Sequence, residues 1–231
     1  MSLYLLLDLA SLSIPLAYSF EKRMRFIKWW PSVFLAISIT AIIFLIWDVI
    51  FTREGVWGFN EAYLVGIDLI NLPIEEWLFF FCIPYACIFT HYAFQYFFPK
   101  LRLSDSLTRG VTLLILTVLI PVIILHTSKA YTFVNYLFLA LILVYSLISK
   151  ERQLGVFYLT FLIILIPFFI VNGILTGNFI EDQVVWYNNA ENLGIRMGTI
   201  PIEDAGYAFS MIFLSIILIE KFKKVFHREA T

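Results

Sequence analysis

The sequence predicts an all-α integral membrane protein of about seven transmembrane helices, arranged as two parallel three-helix repeats joined by a linking helix. Composition is the first ground for this. Of 231 residues, 61% are hydrophobic and 18% aromatic, and only 14% are charged, far from the roughly 25% charge of soluble domains. The second ground is a series of seven apolar runs that approach the ~20 residues a helix needs to cross a bilayer. The third is a carboxylate motif that occurs twice, 128 residues apart, as Pro73-Ile74-Glu75-Glu76 and Pro201-Ile202-Glu203-Asp204.

In chain order the runs cover 3–20, 32–51, 73–98, 111–125, 132–149, 156–176 and 201–219. The first has neither a basic segment before it nor a small-residue cleavage site after it, so it reads as a retained helix and not as a signal peptide. The fourth is the shortest. Basic residues test the division independently, because Lys and Arg collect in cytoplasmic loops. Lys22, Arg23, Arg25, Lys28, Lys100, Arg102, Arg109, Lys150, Arg152, Lys221, Lys223, Lys224 and Arg228 all fall on one side, and only Arg53, Lys129 and Arg196 on the other. This places the chain in the cell (inner) membrane as a multi-pass protein, with the N-terminus and both motif loops outside and the C-terminus in the cytoplasm. Trp29 and Trp30 fit an inner aromatic belt. The lipid bilayer is thus the first partner, and a net charge of −1 gives no argument for nucleic acid. Cys82 and Cys87 both lie within the third run, where free thiols pack as small apolar groups.

The motif repeat extends along the chain. Tyr18 and Ser19 match Tyr145 and Ser146, Asp8 matches Asn135, Asp48 matches Asn172, Trp57 matches Trp186 and Asn60 matches Asn189, all at offsets of 124 to 129. A tandem duplication explains this, with repeats at 1–98 and 132–231 and a linking segment at 99–131 that carries helix four. One intervening span gives both repeats the same orientation, related about an axis along the membrane normal. The copies differ in charge, because Asp8 and Asp48 of the first meet Asn135 and Asn172 of the second.

Glu75, Glu76, Glu203 and Asp204 stand where a helix enters hydrocarbon, each pair after a Pro that sits at the first turn and fixes the helix start. Acids in a first turn gain about 0.3 to 1 kcal/mol from the helix dipole, which would explain one such motif on a solvent-facing helix. Recurrence at two membrane entrances favours function, since ionisable groups at membrane depth mark working sites. Neighbouring helical residues project about 100° apart, so one acid of each pair faces the bundle and the other bonds backbone or loop. Asp48 supplies a nearby carboxyl, which makes Glu75, Glu76, Glu203, Asp204 and Asp48 the acid/base candidates.

Asp8, Trp57, Asn60, Trp77, Phe80, Asn135, Asn172, Trp186 and Asn189 are the candidates for substrate contact. The outer loops at 52–72 and 177–200 are long enough to act as lids, and their aromatic residues offer faces that stabilise a cation or anchors at the interface. No metal site is expected, because His91 and His126 lack partners at ligand spacing. No glycine fingerprint for a dinucleotide is present, and the last run has no Lys before Lys221 to hold a retinal Schiff base. No cofactor is expected.

The paired PIEE and PIED motifs, each preceded by an outer-loop Val-Trp (Val56-Trp57 and Val185-Trp186), resemble the membrane-embedded, flavin-independent lycopene cyclase domains over nearly the whole chain. The tandem form of that family, without a prenyltransferase region, is the nearest in layout. The resemblance implies an isomerase of carotenoid biosynthesis, a lycopene β-cyclase that closes the ends of lycopene to γ- and β-carotene without net redox change. It also implies association with other carotenoid-pathway enzymes. A related carotenoid hydratase, which lets water capture the same cation, and a transporter or carotenoid-binding membrane protein are the alternatives.

Overall fold

The computed structural model describes residues 2–226; Arg228, one of the basic residues assigned to the cytoplasmic side, lies outside them. Seven helices dominate: α1 (Leu3–Tyr18), α2 (Trp30–Arg53), α3 (Ile74–Phe97), α4 (Asp105–Leu125), α5 (Ala130–Ser149), α6 (Gln153–Leu175) and α7 (Ile202–Phe226). Among the described residues, six of these helices are long and apolar enough to cross a membrane. The exception is α1: its 16 residues rise only about 24 Å, short of the ~30 Å hydrocarbon layer. Ser2 caps it by accepting from the Leu5 N–H, and it ends at Tyr18 with Ser19, four residues beyond Pro15, as its C-terminal cap.

Local chemistry sets the other ends. Ser104 accepts from the Leu107 N–H at 3.2 Å and starts α4 at Asp105, earlier than the apolar run at 111 predicts. A capped polar first turn is helical without being apolar. Lys150 takes a left-handed conformation (φ 53°) and closes α5. Pro73 does not occupy the first turn of α3 as expected. Its φ of −62° and ψ of 149° place it one residue earlier, as the extended residue before the helix.

The loops also hold short strands, too brief for a sequence period to reveal: β1 (Trp57–Phe59), β2 (Asp68–Leu69), β3 (Leu72–Pro73), β4 (Val185–Tyr187), β5 (Arg196–Met197) and β6 (Ile200–Pro201). They pair as three antiparallel ladders, β1 with β4, β2 with β3 and β5 with β6. Each motif is thereby preceded by a tight ladder that delivers the chain into its helix. The Ile74 N–H reaches the Ile67 carbonyl at 2.8 Å, and the Ile202 N–H reaches Ile195 at 3.0 Å.

The chain forms two compact units. Within the described residues one comprises 2–50, Glu61–Leu101 and 211–226, and the other Phe51–Asn60 and Arg102–Ser210. In the first unit α1 packs on α3, Phe26, Tyr85 and Tyr92 build an aromatic core, and the exposed Phe34 stacks on Tyr85. The Ser215 hydroxyl donates to Thr40 Oγ1 at 3.0 Å, a buried polar contact between spans of the kind that holds helices together in lipid. In the second unit Phe157, Phe161 and Phe209 interlock. Gly206 brings α7 close to Tyr136, where an added Cβ would come within 3.2 Å of the ring. Ile42, Ile46, Leu114, Ile148, Leu162 and Ile166 point outward from their helices, an arrangement suited to hydrocarbon and not to water.

Candidate functional site

Each motif places two carboxylates in the first turn of a helix, where unsatisfied N–H groups and the dipole favour negative charge. In the first unit the pair diverges as adjacent helical positions must. Glu75 turns toward the loop: its Oε1 accepts from the Ser2 hydroxyl at 2.7 Å and from the Val65 N–H at 2.6 Å. Glu76 turns into the bundle, where its Oε2 accepts from the Tyr4 hydroxyl at 2.5 Å and its carboxyl shares a hydrogen bond with Asp48 of α2. One helical turn along α1 from Tyr4, Asp8 lies in the electrostatic neighbourhood of Glu75 and Cys82. Asp8, Asp48 and Glu75 are at most 1% exposed and Glu76 is 8% exposed, so four carboxyl groups are gathered away from solvent. Among the described residues, neither oxygen of Asp8 has a hydrogen-bond partner.

The second unit holds its pair in a related way. Oε1 of Glu203 accepts from the Thr132 hydroxyl at 2.6 Å and the Leu193 N–H at 2.8 Å, and so ties the loop to the helix start as Glu75 does. Asp204 accepts from two phenols, Tyr131 at 2.6 Å and Tyr187 at 3.0 Å. The hydroxyl that reaches the inner acid comes from Tyr4 in one unit and Tyr131 in the other, 127 residues apart. Four residues beyond each stand Asp8 and Asn135. The latter donates its amide to the Glu203 carbonyl at 2.6 Å.

Aromatic rings crowd the Asp204 side. Trp57, on β1, meets Tyr131, Tyr187 and Tyr207 edge-on with centroids 5.0 to 6.4 Å apart, and Tyr131 stacks on Tyr187 at 5.9 Å. Trp57 belongs to the first outer loop in sequence, yet the β1–β4 ladder seats it in the second unit opposite Tyr187. Arg196 lies over the Tyr187 ring at 5.4 Å.

The remaining sequence candidates fall in several places. Phe80 is buried against Phe79, which in turn meets Tyr4. Trp77 donates its indole N–H to the Leu69 carbonyl at 3.2 Å, fastening the first loop to α3. Trp186 covers Gly58, where any Cβ would collide with the indole. The Asn60 N–H bonds the Val184 carbonyl at 2.9 Å. Asn189 is exposed and accepts from Arg196. Asn172 is half-buried on α6, and its side chain makes no hydrogen bond to Glu203 or Asp204. Sequence reasoning missed the donors: Ser2, Tyr4, Tyr131, Thr132 and Tyr187. Extending the 127-residue offset to Tyr4 and Tyr131 would have found two of them. His91 is buried beside Gln95, 2.6 Å away. Cys82 and Cys87 are free thiols, and among the described residues no group of three or more His, Cys, Asp or Glu is arranged to hold a metal ion.

Comparison with known proteins adds one result. A family model described as Lycopene cyclase matches residues 1–97 and 128–222, which together include both acid pairs. No curated protein and no solved structure gives a match.

Proposed function

The chain belongs to the lycopene cyclase family, and on that premise we propose that it is a lycopene β-cyclase that closes the acyclic ends of lycopene to γ- and β-carotene by proton transfer, with no redox step. The observation that carries this reading is the buried hydrogen bond between Glu76 and Asp48. Two carboxyl groups can hydrogen-bond to each other only when one of them carries a proton, which suits the pair to hold a transferable proton where water is excluded. Lycopene is soluble only in the bilayer, and a catalyst made of membrane helices meets it there.

In the proposed reaction a carboxylic acid protonates the terminal double bond. The electrons of the next double bond attack the resulting tertiary cation and close a six-membered ring. A carboxylate then takes a proton from carbon beside the new cationic centre, and the C–H electrons become the ring double bond. Acid and base each supply a factor of about 10² to 10⁴ in such steps. Glu76 and Asp48 act as the proton donor, and Glu75 positions the loop over them through Val65. Asp204 and Glu203 serve the second copy of the three-helix unit, with Trp57, Tyr131, Tyr187 and Tyr207 offering ring faces to positive charge. Substitution of Asn135 and Asn172 for the acids of the first copy makes the two copies unequal in their share of the proton transfers.

Expression in a lycopene-accumulating bacterial host, followed by chromatography and mass spectrometry of the pigments, tests the activity. The expected product is a cyclic carotene of the same mass as lycopene. Unchanged lycopene, or pigment heavier by one water, contradicts the reading; the second result identifies a hydratase.

The orientation is part of the same proposal and rests on the segregation of basic residues. Reporter fusions after Lys150 and after Lys224 are expected to show cytoplasmic activity and no periplasmic activity. A periplasmic signal at either position overturns the orientation.

A further inference from the structure

We infer that Asp8 is the proton acceptor that decides where the ring double bond forms. The inference rests on the cyclase reading and goes beyond it by assigning the second proton transfer to one residue. A base must offer an unoccupied lone pair. Of the carboxyls gathered in the first unit, Glu76 and Asp48 are engaged with each other, and Glu75 leaves Oε2 without a partner but is fixed toward the loop by the Ser2 and Val65 donors on its other oxygen. Asp8 is fully buried, and among the described residues both of its oxygens lack hydrogen-bond partners. Residues four apart on a helix lie one above the other, about 6 Å along the axis. Asp8 therefore stands one layer beyond Tyr4, whose hydroxyl marks the position of the donor pair through Glu76.

At the matching place in the second unit an amide stands instead, with its Oδ1 also lacking a hydrogen-bond partner but its nitrogen held. Asn135, four residues after Tyr131, donates its amide to the Glu203 carbonyl at 2.6 Å. A carboxylate has no hydrogen to give in that role. An acid without partners in an apolar interior opposes folding, and a group retained at the expense of stability points to function.

The chemistry gives this placement a product-level consequence. The cyclised cation has three neighbouring carbons that carry hydrogen, and loss of a proton from each gives a different ring of identical mass. One has a ring double bond conjugated with the polyene, one an unconjugated ring double bond, and one an exocyclic methylene. In each case a C–H bond breaks, its electron pair becomes the new C=C bond, and the proton passes to an Asp8 oxygen. The donor pair has supplied one proton and Asp8 has received one, so release of Asp8's proton to solvent and uptake of a solvent proton by the pair reset the site. A single fixed acceptor yields one ring type.

The test compares the parent chain with Asp8→Asn, Asp8→Glu and Glu76→Gln in the lycopene-accumulating host. Cyclic pigment, the position of its ring double bond and the membrane abundance of each variant are read. Asp8→Asn is expected to reach parental abundance, because the amide can bond as Asn135 does, while cyclic pigment falls about 10²-fold or more. What remains is expected to contain the other ring isomers or the alcohol formed by water. Asp8→Glu is expected to recover turnover with a changed isomer ratio, and Glu76→Gln to lower all of these products together without changing their ratio. Parental rate and ring type in Asp8→Asn overturn the assignment while leaving the cyclase reading intact. So does a loss of abundance in Asp8→Asn that Asp8→Glu does not relieve, since that identifies a structural role. Lycopene left untouched by the parent chain overturns both.

Discussion

Replacing Glu76 with Gln is expected to reduce cyclisation about 10²-fold or more, at unchanged abundance in the membrane. The substitution keeps the side chain's length and an oxygen that can accept from the Tyr4 hydroxyl, so the buried packing around α1 and α3 is preserved. Removing a first-turn charge costs under about 1 kcal/mol from the helix dipole. What disappears is the carboxyl that shares a hydrogen bond with Asp48, and with it the proton that starts the reaction. Glu75→Gln is expected to have a smaller effect, because an amide oxygen can still accept from Ser2 and the Val65 N–H. Pigment chromatography with immunoblotting of the membrane fraction checks both. Parental yield from Glu76→Gln removes the donor assignment.

The second large effect is expected at Asp204. Its two oxygens are divided between the Tyr131 and Tyr187 hydroxyls, and an Asn at this position satisfies one phenol while presenting an NH₂ group to the other. The amide NH₂ turns that phenol from donor to acceptor and leaves its O–H without the carboxylate, which disturbs the ring cluster around Trp57 as well as removing the charge. Asp204→Asn is expected to lower turnover about 10²-fold, less than the donor substitution does, because Asn172 stands at the 124-residue offset from Asp48. Tyr131→Phe keeps the ring contacts with Trp57 and Tyr187 and removes one hydrogen bond, so a milder loss is expected. Measuring the two variants side by side separates the carboxylate's contribution from that of its donor. Equal pigment from Asp204→Asn and the parent contradicts a role for the second motif in the reaction.

Much of the helical architecture was legible because crossing hydrocarbon demands long apolar runs, and the six long helices lie close to the runs drawn from composition. The boundaries departed where polar residues cap or open a helix, as Ser104 does for α4. In α1 the apolar run is real, but the helix is too short to span the layer unaided. The divergence of Glu75 from Glu76 followed from helical geometry alone. Its partners did not. Tyr4 and Tyr131 read as ordinary apolar aromatics until tertiary structure brings their hydroxyls against acids. Trp57 was legible as a loop aromatic, but its seat beside Tyr187 depends on the pairing of β1 with β4, strands more than a hundred residues apart and only three residues long. Asp8 could be singled out as an acid in an apolar run, whereas its lack of partners is visible only in the fold.

The central claim, that cyclisation begins with a proton from the protein and ends with the loss of a different one, is tested most directly by carrying out the reaction in deuterated water. Membranes containing the parent chain are equilibrated in the heavy solvent and supplied with lycopene, and the products are analysed by mass spectrometry. Exchangeable carboxyl protons become deuterons before transfer. The account predicts that each ring closed adds one deuterium at carbon, so that the two-ring product carries two and the one-ring intermediate carries one. Cyclic carotene free of deuterium, formed in fully exchanged membranes, would contradict it.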